Sequence, residues 1–170
     1  MTNLSKYLND HLADQTYAVE LVRRAMSENA GTPRLRAFLE VLSWELEEDR
    51  EILVRGMDEL GIRRQRVGVS LSWIAEKAGR LRLHRYSPLS ALAELESIHA
   101  GLDRKVEMWN TLRASQEALA DRLDFDELVH RAERQAEELE RRRLEVVAKA
   151  LSHRDEPGAA PRGTPLAAAS

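Results

Sequence analysis

A small set of polar side chains stands out in this sequence because each lies among apolar residues at helical spacing. The set combines imidazoles, carboxylates and amides: His11, Gln15, Glu45, Asp49, His99 and Gln135. Imidazole and carboxylate are ligands that iron, manganese and zinc accept in proteins. The same groups can also form a buried hydrogen-bond network, which folding tolerates only if every member finds a partner. The residue types leave both interpretations open.

The spacing predicts that the most costly of these groups faces a core. Asp49 is flanked by Leu46 and Leu53 on the same helix face, and His99 is assigned to the leucine-rich face of another helix. An ionised aspartate in such surroundings must be paired, protonated or bound to a cation. In the network interpretation, His11 and His99 donate to Asp49 or Glu45, and the Gln side chains close the remaining hydrogen bonds.

Caps, prolines and the 3.6-residue period predict five helices to carry these side chains. Thr32-Pro33 and Ser87-Pro88 each read as an N-cap followed by proline at the first helical position. Gly61 suits the left-handed residue after a helix end. The predicted helices cover residues 4–29, 33–60, 63–83, 88–114 and 124–151. Asp124 with Glu127 resembles a capping box for the fifth, and the stretch before it, 115–123, either extends the fourth helix or forms a separate turn.

The predicted lengths suggest how the helices are arranged. Four of them are each roughly 40 Å long at a rise of about 1.5 Å per residue. The third is nearly long enough to return the chain from one end to the other. The predicted fold class is therefore all-α, a ferritin-like four-helix bundle with a helical crossover. In this arrangement the six polar side chains fall between roughly 12 and 22 Å from the same end.

Several segments also resemble an uncharacterised bacterial branch of the ferritin-like superfamily. They are NDHLAD (9–14), EEDREIL (47–53), WIAEKAGRLRL (73–83), SPLSALAELE (87–96) and RAERQAEELE (131–140). The resemblance covers roughly residues 4–151 and implies fold rather than activity. Di-iron members of the family use a Glu on each of two helices and Glu-x-x-His on each of the other two. Glu96 and His99 match that spacing and are expected to point inward. His130, three residues after Glu127, faces away from the apolar stripe, and the motif is incomplete.

Two functions follow from these features. The first is a non-catalytic interaction or structural protein, a homo-oligomer or the binder of a protein partner, whose polar side chains fix the register of the core. Gln15 and Gln135 belong to its buried polar network. The alternative is a metal-binding oxidoreductase that holds iron or manganese. Its ligands would be His11, Glu45, Asp49, Glu96 and His99.

Two tryptophans and two basic segments suggest further contacts. Trp44 and Trp73 lie off the main apolar stripes, so they either pack the second and third helices together or form a partner surface, where aromatic residues are favoured. The arginine-rich segments 63–66 and 80–85 flank the third helix. With a net charge of -3, nucleic-acid binding is not expected, and cations near a helix C-terminus are favoured by its dipole.

Composition limits the remaining possibilities. The chain has 170 residues and no Cys, which excludes disulfides, thiol catalysis and thiolate metal sites. We expect one helical domain over residues 1–151 and a disordered tail over 152–170, because the tail is rich in Pro, Gly and Ala. The N-terminus lacks an apolar signal region, and no apolar run is long enough for a membrane span. The expected location is the cytoplasm.

Overall fold

The computed structural model of the chain describes residues 2–28, 32–65 and 88–152. Among these residues the secondary structure is helical, without a strand. The helices are α1 (Asn3–Glu28), α2 (Pro33–Glu59), α3 (Pro88–Ser115), α4 (Glu117–Ala120) and α5 (Phe125–Ser152). The predicted all-α class is confirmed. None of the described helices is long and apolar enough to cross a membrane.

At the described helix ends most of the local signals hold and one does not; Ser87, the second expected N-cap, lies outside the described residues. Gly61 adopts a φ of 64° after α2, a conformation that glycine adopts without steric cost. The backbone N–H of Glu127 donates to the Asp124 carboxylate at 3.0 Å, as in a capping box. Thr32 precedes α2 but makes no side-chain capping bond, so the expected cap there is wrong and proline alone marks the start. The undecided stretch 115–123 contains the separate short helix α4.

The third predicted helix lies mostly outside the described residues, and so do Trp73 and nearly all of the predicted tail. Its expected beginning is wrong, because residues 63–65 are not helical. The buried Asn9 side chain holds them, donating to the Arg63 carbonyl at 3.3 Å and accepting from the Gln65 N–H at 2.7 Å. Bonds from a side chain to the backbone compete with helix formation in this way.

Two apolar clusters form the core. The first contains buried residues within 18–25 of α1, 35–46 of α2, 95–102 of α3 and 136–139 of α5. The second contains buried residues within 8–12 of α1, 53–57 of α2, 108–112 of α3 and 125–132 of α5, with Leu119 of α4. The chain passes from the second cluster to the first along α1 and α5, and from the first to the second along α2 and α3. The members of each pair therefore run in the same direction, opposite to the other pair.

The packing between helices brings polar side chains together between the clusters. Helix α1 packs against α2 and α3, α3 packs against α5, and α2 also meets α5. In each long helix the sequence between the two clusters contains a buried polar residue: Gln15, Asp49, Lys105 or Gln135. The structure thus has a polar layer between two apolar ones.

Candidate functional site

The centre of this layer is a lysine that donates to two neighbouring helices. Lys105 of α3 is 2% exposed and Asp49 of α2 is 1% exposed. The Lys105 Nζ donates to Asp49 Oδ2 at 2.5 Å and also to Gln135 Oε1. Gln135 Nε2 in turn donates to Glu45 Oε2 at 2.7 Å. The four side chains form a continuous hydrogen-bond chain that joins α2, α3 and α5.

A second cation uses the other oxygen of Asp49. Arg131 of α5 donates to Asp49 Oδ1 and to Glu48 Oε2, the latter at 3.1 Å. Both carboxylate oxygens of Asp49 are therefore hydrogen-bonded to cationic side chains of the chain itself. A buried carboxylate is stable only with such partners.

The electrostatics of Lys105 reflect two opposing influences. Burial lowers the pKa of its ammonium group, because removal from water penalises the charged form. The adjacent Asp49 carboxylate acts in the other direction and favours the protonated lysine. The two groups therefore depend on one another, since either charge alone in this apolar layer would be strongly disfavoured.

Sequence reasoning missed both cations. A signal for Lys105 was present, because Ile98, Leu102, Lys105 and Trp109 follow the 4-3-4 spacing of a buried helix face. Lysine is nonetheless rarely buried unless it is paired, and the sequence alone did not reveal its partner. Arg131 carried no comparable signal, because its side chain reaches Asp49 from a half-buried position.

Glu96 faces outward and the His99 side chain is half-buried, 28% exposed, beside Asp103, so neither points into the core as expected. Helical residues are about 100° apart around the axis, and the buried face of α3 is centred on its neighbour Ile98 rather than on His99. The imidazole Nδ1 of His99 lies 3.2 Å from Asp103 Oδ2, and its Nε2 lies 4.0 Å from Glu140 Oε2. Glu96 is 55% exposed and pairs with Arg143 at 3.3 Å.

His11 is buried, but it does not join the hydrogen-bond chain at Asp49. Its ring meets the Tyr7 ring edge-on, with 4.4 Å between centroids. Burial lowers the pKa of the His11 imidazole, the nearby Arg104 lowers it further, and neighbouring carboxylates including Asp14 oppose the shift. The prediction that His11 and His99 donate to Asp49 or Glu45 is therefore wrong. Lys105 and Arg131 donate to Asp49 instead, and Gln135 donates to Glu45.

Gln15 occupies the α1 position of the polar layer with incomplete hydrogen bonding. Its Nε2 donates to the Met108 sulfur at 3.7 Å, and its Oε1 has no hydrogen-bond partner. A buried acceptor without a partner costs about 1–3 kcal/mol. The hydrogen bonding of the layer is thus strongest between α2, α3 and α5 and weakest toward α1.

A second buried carboxylate was also missed. Glu94 of α3 is buried and pairs with Arg24 of α1 at 2.5 Å. Burial raises the pKa of Glu94, while the Arg24 guanidinium opposes the shift. The pair links α1 to α3 at the level of the first apolar cluster.

The proposed metal ligands do not form one cluster. The structure connects Glu45 and Asp49 through Gln135 and Lys105, and it gives His11, Glu96 and His99 separate partners. Across residues 2–28, 32–65 and 88–152, no three His, Cys, Asp or Glu side chains are placed to hold a metal ion. Binding of iron or manganese stays a prediction.

Trp44 lies on the opposite side of α2 from Asp49. Its side chain is 78% exposed, and that of Val41, one helical turn away, is 58% exposed. The expected packing partner of Trp44, the third predicted helix with Trp73, lies outside the described residues, so the packing expectation stays a prediction. Its alternative role in a partner surface remains a prediction.

Comparisons of this chain with known proteins gave no match. No protein-family model matches the chain, and no curated protein or solved structure is significantly similar to it.

Proposed function

We propose that this chain is a ferritin-like four-helix bundle that works as a non-catalytic interaction protein. Helices α1, α2, α3 and α5 would be its four members. Their pairwise packing supports this architecture, and so do their directions, since α1 and α5 run opposite to α2 and α3. In this proposal the polar layer aligns the helices, and the outer surface binds a protein partner or a second copy.

The observation that carries the proposal is the saturation of Asp49. Both of its oxygens accept from cationic side chains, Lys105 on one side and Arg131 on the other. A metal ion at Asp49 would have to displace these cations. Displacement would leave the buried Lys105 charge without its Asp49 counter-charge, which costs several kcal/mol.

The same contacts suggest what the layer does for the fold. A shift of α3 by one helical turn along α2 would place Lys105 among apolar side chains and away from Asp49. Buried polar groups specify register in some helical assemblies by penalising such misalignment. We infer that the Lys105–Asp49 pair selects one alignment of the helices, and that it contributes more to this selection than to net stability.

Elemental analysis tests the non-metal part of the proposal. The untagged protein is measured before and after incubation with Fe(II) and Mn(II), beside Asp49→Asn and His99→Ala variants. We expect no stoichiometric metal in any sample. About one or two metals per chain, as in di-iron bundles, lost in both variants, would favour the alternative of an iron- or manganese-dependent oxidoreductase.

A further inference from the structure

The side of α2 that faces away from the core has its own regular pattern. Exposed residues recur there at alternating spacings of three and four: Arg34, Ala37, Val41, Trp44, Glu48, Glu51 and Arg55. We call these seven residues the outer stripe. This spacing is the one by which two helices pack along each other in coiled-coil pairs. The buried leucines of α2 lie on the opposite face.

The middle of the outer stripe is apolar and its flanks are charged. Val41 and Trp44 are adjacent on the helix surface and are exposed by 58% and 78%. Large aromatic side chains are enriched in the centres of protein interfaces. Within the described part of the chain, Arg34 and Glu51 have no ion-pair partner.

The order of residues makes the outer stripe complementary to itself. If two copies of α2 run antiparallel about an axis between residues 42 and 43, Val41 of each copy faces Trp44 of the other. The same register places Arg34 opposite Glu51 of the second copy, once on each side of the centre. In a parallel pair each residue would instead meet its own equivalent, so Arg34 would face arginine and Glu51 would face glutamate.

We propose that two copies of this chain dock antiparallel through the outer stripes of α2. Two Val41–Trp44 contacts form the centre, and two Arg34–Glu51 ion pairs flank it. The inference rests on the proposed function as an interaction protein and names its partner as a second copy. A contact through one helix is smaller than the standard interface of about 1,600 Å², so the dimer is weak and dissociates on dilution.

Sedimentation velocity of the full chain over a concentration series tests the surface. We expect a concentration-dependent dimer for the wild type and a monomer for Trp44→Glu. Leu144→Glu on α5 is the matched control, since Leu144 is also an exposed large hydrophobic residue, at 55%. This control is expected to dimerise like the wild type. Circular dichroism of each variant establishes that it is folded.

Charge reversal tests the antiparallel register. Arg34→Glu alone and Glu51→Arg alone each turn both ion pairs of the dimer into like-charge pairs. Each is expected to weaken the dimer by roughly 2- to 30-fold, the scale of two exposed ion pairs. The double variant Arg34→Glu/Glu51→Arg restores two opposite-charge pairs and should recover the wild-type dimer. A parallel pair would gain nothing from the double exchange.

Two results would overturn the inference. One is a wild type that stays monomeric at every concentration. The other is a dimer that Trp44→Glu leaves unchanged, which would place the contact elsewhere while leaving the proposed function standing. Failure of the proposed function has a different signature, stoichiometric metal bound at Asp49, which elemental analysis detects independently of the oligomeric state.

Discussion

The two faces of α2 reverse the usual distribution of charge and apolar surface. The inner face buries the carboxylate of Asp49, and the outer face exposes the indole of Trp44. Burial of Asp49 is explained within the chain, because Lys105 and Arg131 satisfy both of its oxygens. Exposure of Trp44 has no such explanation within the described residues. The contrast suggests that the inner face serves folding and the outer face serves binding.

The largest expected effect is on the inner face. Lys105→Met leaves the buried Asp49 with Arg131 as its remaining cation and removes the donor to Gln135. We expect a loss of about 3–5 kcal/mol in the free energy of unfolding, the range for breaking a buried pair by removing one partner. Urea denaturation followed by circular dichroism measures it. Lys6→Met is the control, because Lys6 is exposed. An equally large loss of stability in this control would show that the effect of Lys105→Met is not specific to the buried pair.

A pH titration probes a separate buried group, His11 of α1, which does not belong to the Asp49 hydrogen-bond chain. Burial lowers the pKa of His11 below its ordinary value of 6.5, so the unfolded chain takes up this proton at a higher pH than the folded chain. Stability is therefore lost as the pH falls below about 6.5, with a slope of at most about 1.4 kcal/mol per pH unit for one proton.

Urea denaturation at pH 7.5, 6.5 and 5.5 follows the predicted loss. The matched variant is His11→Gln, which cannot titrate and should lose less stability over the same interval. Equal pH dependence in both proteins would assign the effect to groups other than His11.

The smallest expected effect on stability is on the outer face. Trp44→Glu replaces an exposed side chain, so the free energy of unfolding of the monomer should change by no more than about 0.5 kcal/mol. The measurement is urea denaturation at a concentration below that of dimer formation. A large loss would mean that Trp44 supports the fold, and the comparison between the two faces of α2 would then fail.

The helices were predictable because proline and glycine residues mark several of their ends. Proline at residues 33 and 88 marks the beginnings of α2 and α3, and Gly61 marks the end of α2. These signals act within a few residues and need no tertiary information. The helix-like beginning expected at Arg63 was wrong because a distant side chain, Asn9, binds the backbone there.

The candidate site was less predictable because pairing and rotation decide it. Asp49 could be recognised from its apolar neighbours, but its partners Lys105 and Arg131 have long side chains that usually extend to solvent. His99 was misplaced because one residue along a helix turns a side chain by about 100°. The rotation of α3 was present in the spacing of Ile98, Leu102 and Trp109, whereas the pairing cannot be read from one helix alone.

A double-mutant cycle on Asp49 and Lys105 tests the central claim, that these two buried charges satisfy one another. Urea denaturation would give the free energies of unfolding of Asp49→Leu, Lys105→Met and the double variant. We expect each single variant to be strongly destabilised and the double variant to recover most of the loss, since apolar replacement of a whole buried pair is often neutral or stabilising. Additive losses in the double variant would contradict the claim, because they would show that the two side chains do not depend on each other.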